Sequence, residues 1–175
     1  MNQPINEHQV FENRDYSGQK ISNKEFTDCT FKKCLFLTSD LSNNTFMDCH
    51  FEECNFSGTL FDNSSMKNIN FKKCKVMGIN FGKCSDFLFS VSFDGCMLDY
   101  SSFFQKKMKK THFKDCSMKE VTFSEVDLSE AIFERCDLLD ASFMKTNLEK
   151  ADFRTATRYA FDPEQNSIKL AKFSR

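Results

Sequence analysis

Nine cysteines and three histidines are the residues of this 175-residue chain with the most direct chemistry. Cysteine in such number ordinarily serves disulfides or zinc. Disulfides are not expected, because the count is odd and no signal peptide is visible in Met1 to Gln9. Zinc thiolates need tetrahedral convergence from CxxC-type turns. Here Cys29, Cys34, Cys49, Cys54, Cys74, Cys84, Cys96, Cys116 and Cys136 are spaced mostly by multiples of five, and the histidines do not join them. The expectation is reduced, buried cysteine acting as a small hydrophobe, hence a reducing cytoplasm. His50 and His112 lie far apart in the array, His8 precedes it, and Gly18, Gly58, Gly78, Gly82 and Gly95 are too scattered for a phosphate loop. No catalytic, cofactor-binding or metal-binding residue is expected, and the chain reads as no enzyme.

The spacing of the thiols belongs to the element that holds them. From Phe11 to Phe153 every fifth residue is apolar, with one slip of two residues near 82–90. A longer period lies on top: Phe11, Phe31, Phe51, Phe71, Phe93, Phe113, Phe133 and Phe153 recur every 20 residues, except for one interval of 22. Residues five apart lie about 140° apart on an α-helix, and strands alternate with period two, so neither element explains the pattern. Four five-residue sides per turn do, giving a square all-β solenoid of about seven coils, roughly 34 Å long at about 4.8 Å per coil. On that spacing His50 and His112 are about 14 Å apart and share neither metal nor substrate.

The residue two places before each apolar centre points inward, where only small side chains are expected. All nine cysteines take that position, together with Ser39, Thr59, Ser64, Ser101, Thr111, Ala131, Ala141, Thr146 and Ala151. Six cysteines, from Cys34 to Cys136, repeat the 20-residue spacing with its single interval of 22.

The net charge of −1 conceals segregation. Lys106, Lys107, Lys109 and Lys110 open a basic block that runs on to Lys114 and Lys119. A belt of Glu120, Glu125, Asp127, Glu130, Glu134, Asp137 and Asp140 follows it. Stacking sets Lys107 over Asp127 and Lys110 over Glu130, and alternates Lys32, Glu52 and Lys72 up one column. Cross-coil ion-pair ladders are one reading of these charges, and a phosphate-binding or partner-binding patch is the other.

The rule breaks at two places and ends at a third. Around 82–90 Leu88 is taken as the centre, leaving Phe87 and Phe89 surplus on a bulge or a partner-facing apolar spot. In the first coil Arg14, Gln19 and Lys24 occupy inward positions, as in a polar capping coil. Past Phe153 the repeat fades. The expected organisation is a lead-in over 1–10, one β-helix domain over 11–155, and a cap or dimer-contact segment over 156–175. In that last segment Phe161, Ile168, Leu170 and Phe173 are the candidate dimer contact.

The unit A/C/S-x-F/L-x-x, as in CDL at 136–138 and ADF at 151–153, resembles the pentapeptide-repeat family. That resemblance implies a right-handed quadrilateral parallel β-helix. Within the family, VFENRDYSGQKISNKEFTDCTFKKCLF (10–36), FLFSVSFDGCMLDYSSF (87–103) and FDPEQNSIK (161–169) resemble the quinolone-resistance branch. The narrower resemblance implies binding to DNA gyrase and topoisomerase IV, partly as a DNA mimic, and a dimer through the C-terminal ends. Three features depart from that branch: no insertion of the length of its projecting loops, no helix after Arg175, and a weak charge. Duplex DNA carries one negative charge per about 1.7 Å, so a rod of about 34 Å would need roughly 20.

Two function classes follow. One is topoisomerase protection from quinolones, with Glu120, Glu125, Asp127, Glu130 and Asp140 as the partner-binding residues. The other is a structural or scaffold module for another cytoplasmic protein. Neither requires a cofactor, a membrane or direct contact with nucleic acid.

Overall fold

A chain that turns a corner every five residues needs a backbone conformation that L-residues seldom adopt. The second residue after nearly every centre supplies it with positive φ, as in Asn13 at 53°, Lys33 at 52°, Glu53 at 53°, Lys73 at 52° and Gly18 at 67°; Lys83 and Thr155 are exceptions. A non-glycine residue there costs about 1 kcal/mol, which stacking of the coils has to offset. Corner side chains radiate outward, so they are mostly polar.

Between corners the computed structural model, which describes residues 5–174, has short extended segments. They are β1 (Ile5–Glu7), β2 (Val10–Glu12), β3 (Glu25–Thr27), β4 (Thr30–Lys32), β5 (Thr45–Met47), β6 (His50–Glu52), β7 (Ser65–Lys67), β8 (Ile69–Lys72), β9 (Val91–Asp94), β10 (His112–Lys114), β11 (Thr122–Ser124), β12 (Ile132–Glu134) and β13 (Ser142–Met144). Every pairing is parallel and joins successive coils. The first face carries the seven-stranded sheet β2-β4-β6-β8-β9-β10-β12, with Phe11, Phe31, Phe51, Phe71, Phe93, Phe113 and Phe133 in register. The third face carries β11-β13 and the fourth carries β1-β3-β5-β7. Isolated parallel bridges such as Leu35 with Asn55 and Met97 with Ser117 complete the second face. The fold is the expected quadrilateral parallel β-helix.

The core is a stack of rings. Phe113 is fully buried, lies 5.7 Å from Phe93 and 5.0 Å from Phe133 in parallel planes, and meets Phe103 and Phe123 edge-on. Parallel offset stacking along a column with edge contacts between columns satisfies the ring quadrupoles at every coil.

The sequence reading expected only small residues at the inward position, but the structure also buries Asn44, Ile69, Ile79, Val121, Val126 and Lys106 there. What selects cysteine is the carbonyl beneath it. The thiols of Cys34, Cys54, Cys74, Cys116 and Cys136 donate to the carbonyls of Phe11, Phe31, Phe51, Phe93 and Phe113, each 23 residues earlier, at 3.3–3.7 Å. Hydroxyls and amides do the same work, as Ser64 does for Leu41 and Asn166 for Phe143. By contrast Ala131, Ala141 and Ala151 stand above the centres Met108, Met118 and Leu128. There the amide three residues on closes the turn onto the carbonyl, as Thr111 does at 3.1 Å and Ala131 at 3.0 Å. Under these three alanines the closed turn already serves the carbonyl, so no side-chain donor is needed, although Thr59 still donates to the Phe36 carbonyl at 2.6 Å above a closed turn.

The slip departs from the sequence reading in two ways. Leu88 is not the core residue: it sits at a left-handed corner with φ of 55°, 52% exposed, while Phe89 packs inward edge-on to Phe81 at 6.3 Å. Lys106 is not part of the exposed basic block, being only 1% exposed. It spans one coil to donate to the carbonyl of Cys84 at 2.7 Å, pairs with Asp86, and lies 5.2 Å from the centre of the Phe89 ring. The bulge diverts backbone from the core, and the long lysine fills and satisfies the space beneath.

At the N-terminal end β1 lies within the segment 1–10 and pairs with β3, residues 1–4 lying outside those described. Arg14 and Gln19 are exposed, and an apolar cavity of about 70 Å³ opens between Tyr16, Ile21, Phe26, Phe31 and Phe36. At the other end bridges continue from Asp137 to Thr157, Asn147 to Ser167 and Asp152 to Lys172.

Candidate partner-binding surface

The five carboxylates singled out in the sequence do not share one face. Glu120 and Asp140 occupy the corner between the second and third faces, Glu125 the next corner and Glu130 the one after. Asp127 lies on the fourth face. The belt therefore winds around the rod, and most of it is engaged. Glu125 accepts from the Gln105 amide at 2.8 Å, Asp127 caps the Ser129 amide at 3.0 Å, and Glu130 meets Lys109 at 3.2 Å and Lys110 at 3.7 Å. The Lys109 hydrogen bond holds the Glu130 carboxyl below its ordinary pKa. Glu120 and Asp140, one coil apart on one corner, have no cationic partner within 4 Å among the described residues.

The ladders foreseen in sequence are partly formed. Lys110 pairs with Glu130, whereas Lys107 is a backbone partner of Asp127 without an ion pair to it. The first face carries the longest series: the residue after each centre reads Glu12, Lys32, Glu52, Lys72, Asp94, Lys114, Glu134 and Arg154, alternating in sign at every coil. Lys114 reaches Asp94 at 3.8 Å. At the adjoining corner Arg135 grips Asp115 through two nitrogens at 2.6 and 2.8 Å, which lowers the Asp115 pKa. Sequence spacing could have extended the series beyond Lys72 had the slip been carried through it.

His50 and His112 lie on the first face. His50 contacts the Asn70 amide at 3.3 Å, Asn70 in turn accepts from Ser92, and His112 meets Glu134 at 2.9 Å. Among the described residues no three His, Cys, Asp or Glu side chains converge as metal ligands would.

Of the candidate dimer residues, Phe161 and Phe173 close the end of the Phe column, 5.7 and 6.0 Å from Phe153, and Ile168 is half-buried. Leu170 faces solvent, 66% exposed. No helix among the described residues is long and apolar enough to cross a membrane.

A flat-sided rod of stacked five-residue sides defines a class, and the sequence matches it directly. The family described as "Pentapeptide repeat region" matches residues 24–103, and "Pentapeptide repeats (8 copies)" matches residues 123–157. The chain belongs to the pentapeptide-repeat family. Among solved structures it is similar to full-length QnrB1, a plasmid-mediated fluoroquinolone resistance protein. Identity is 14%, coverage 98% of this chain and 94% of that one, and the TM-score 0.61. It also aligns with HetL, a pentapeptide repeat protein involved in heterocyst differentiation regulation from the cyanobacterium Nostoc, at 12% identity over 97% of this chain and 86% of that one, with a TM-score of 0.29. No curated protein matches the sequence.

Proposed function

We propose that this protein acts without catalysis, as a rigid interaction module that binds a partner protein by matching charges along its first face. The sign-alternating series from Glu12 to Arg154 carries this reading. Charges that alternate every coil cancel beyond their own spacing, and salt screens what remains over about 8–10 Å. Such a face offers little long-range field to a polyanion or a polycation. It discriminates on contact, when opposite charges fall into register, and so favours specificity over raw affinity.

The test is a pull-down from cell extract with the wild-type protein and with a variant carrying Lys32→Glu, Lys72→Glu and Lys114→Glu. Their side chains lie outside the core, Lys72 exposed and Lys32 and Lys114 half-buried, so they can change sign without disturbing it. A protein retained by the wild type and lost by the variant supports the reading, and identical profiles overturn it.

A second reading, protection of a type II topoisomerase from quinolones, is favoured by the likeness to full-length QnrB1 along nearly the whole chain. Its candidate contact is the unpaired Glu120 and Asp140 corner with Glu125, Asp127 and Glu130 around it, a local mimic of DNA charge. Supercoiling by gyrase in the presence of a quinolone should then recover on adding the protein, and recover less with Glu120→Lys and Asp140→Lys. No rescue, and no binding to gyrase or topoisomerase IV subunits at low salt, would remove it. A dimer through Phe161, Ile168, Leu170 and Phe173 belongs to the same reading, with Leu170 its most exposed member.

A further inference from the structure

The hydrogen-bond ladder of the fourth face has a break at its centre. Each corner amide there donates to a carbonyl one coil on: His8 to Thr27 at 3.1 Å, Asp28 to Met47 at 2.9 Å and Asp48 to Lys67 at 2.9 Å. Beyond the slip, Lys110 donates to Ser129 at 2.9 Å, Glu130 to Glu149 at 2.8 Å and Lys150 to Lys169 at 2.9 Å. Between them two amides, that of the corner Asn68 and that of Leu88 on the bulge two residues before the next corner, donate to no protein acceptor among the described residues, while Ser90 at that next corner turns back to the Met66 carbonyl at 2.9 Å. The interruption coincides with the end of the β1-β3-β5-β7 sheet, since β7 has no strand after it.

Beside these amides runs a groove of about 380 Å³, with Thr45, Met47, Ser65 and Lys67 along it and Phe87 and Leu88 as its wall. Phe87 is 73% exposed, the most of any phenylalanine among the described residues, with Phe104 next at 42%. The charges around the groove are unequal. Asp86 is taken by Lys106, Asp48 accepts from the Asn68 side chain at 2.7 Å, and Glu130 is taken by Lys109 and Lys110. Lys67, in the groove, and Lys107, one coil beyond the slip on the same face, have no acidic partner within 4 Å among the described residues.

We propose that this groove binds an extended acidic segment of a partner protein. Lys67 and Lys107 meet its carboxylates, the Asn68 and Leu88 amides donate to its backbone carbonyls, and one of its apolar side chains covers Phe87. Each part answers a distinct unmet group: two cations, two amide donors and an exposed ring. Extended peptides that complete an interrupted sheet gain their main-chain hydrogen bonds in this way, with flanking pockets supplying selectivity. The inference rests on the interaction-module reading and gives it a second site, away from the first face.

A fluorescein-labelled peptide alternating aspartate and leucine tests it by anisotropy at low salt, against a control peptide in which lysine replaces aspartate. Saturable binding of the acidic peptide is expected. It should weaken at least tenfold with Lys67→Glu and, separately, with Phe87→Ser, and be unchanged with Lys169→Glu near the C-terminal end. No binding, equal binding in all variants, or equal binding of both peptides overturns the site, as does self-association abolished by Phe87→Ser in the absence of peptide binding. If the peptide fails while the first-face pull-down succeeds, the groove is wrong and the interaction module stands; the reverse outcome removes the first face and keeps the groove.

Discussion

The Lys106 ammonium reaches back one coil to the Cys84 carbonyl, 2.7 Å away, in the interior of the rod. A lysine at an inward position looks like an error of the repeat until the bulge at 82–90 is considered. There Cys84 has its carbonyl turned toward the core without the donor that a neighbouring thiol or hydroxyl gives elsewhere. The lysine stem fills the space and its head satisfies the carbonyl and Asp86.

Replacing that head should therefore be costly at unchanged volume. Lys106→Met keeps the stem and orphans a buried carbonyl, and a loss of about 1–3 kcal/mol is expected in urea unfolding. A loss under about 0.5 kcal/mol would mean that water serves the carbonyl equally well.

Phe113→Ala removes a ring that touches four others, in a stack whose coils are fixed by their hydrogen bonds and cannot close the gap. The expected loss is about 3–5 kcal/mol. Lys107→Ala, on the surface beside it in sequence order, should change stability by less than about 1 kcal/mol. Comparable effects of the two would contradict the ring stack as the main source of stability.

Cysteine at an open turn works as a donor, so its replacement should depend on hydrogen bonding as well as size. The Cys96 thiol donates to the Phe71 carbonyl at 3.3 Å. Cys96→Ser should be tolerated within about 1 kcal/mol, whereas Cys96→Ala removes the side-chain donor and opens a small void, and should cost about 1–3 kcal/mol. Equal losses would show that packing alone governs the position.

Burial pushes the Cys49 thiol up to about 11 and the Cys84 thiol up to about 12, from an ordinary value of 9.0. The unfolded chain thus gives up these protons first. Their contribution to stability is whole below pH 9 and falls as pH rises through about 11 and 12. Urea midpoints should hold steady from pH 7 to pH 8.5 and drop by pH 10.5, and thiol alkylation at pH 8 should require unfolding. Rapid labelling of several cysteines in the native protein would contradict the burial.

How far the sequence reached can be judged at particular residues. The Phe column could be read because parallel stacking with a fixed turn length forces identical environments 20 residues apart, and Phe31, Phe51 and Phe71 record that directly. The donor role of the cysteines was hidden, because it depends on the carbonyl that the preceding coil places beneath each thiol. Counting by fives also put Leu88 inside, since it cannot see a backbone that leaves its track, and charge alone grouped Lys106 with the exposed basic block although its place two before Met108 is an inward one.

What the sequence determined by itself is the periodic part: five residues to a side, four sides to a coil, apolar centres inward and cysteine beneath them. Any other winding would scatter those phenylalanines into water. The tertiary structure alone decided the aperiodic part. It turned Phe89 into the core instead of Leu88, drew Lys106 in to meet the Cys84 carbonyl, and spread Glu120, Glu125, Asp127, Glu130 and Asp140 around the rod. Those outcomes depend on where a bulge directs its carbonyls and on which corner each residue turns, and both are set by contacts between coils.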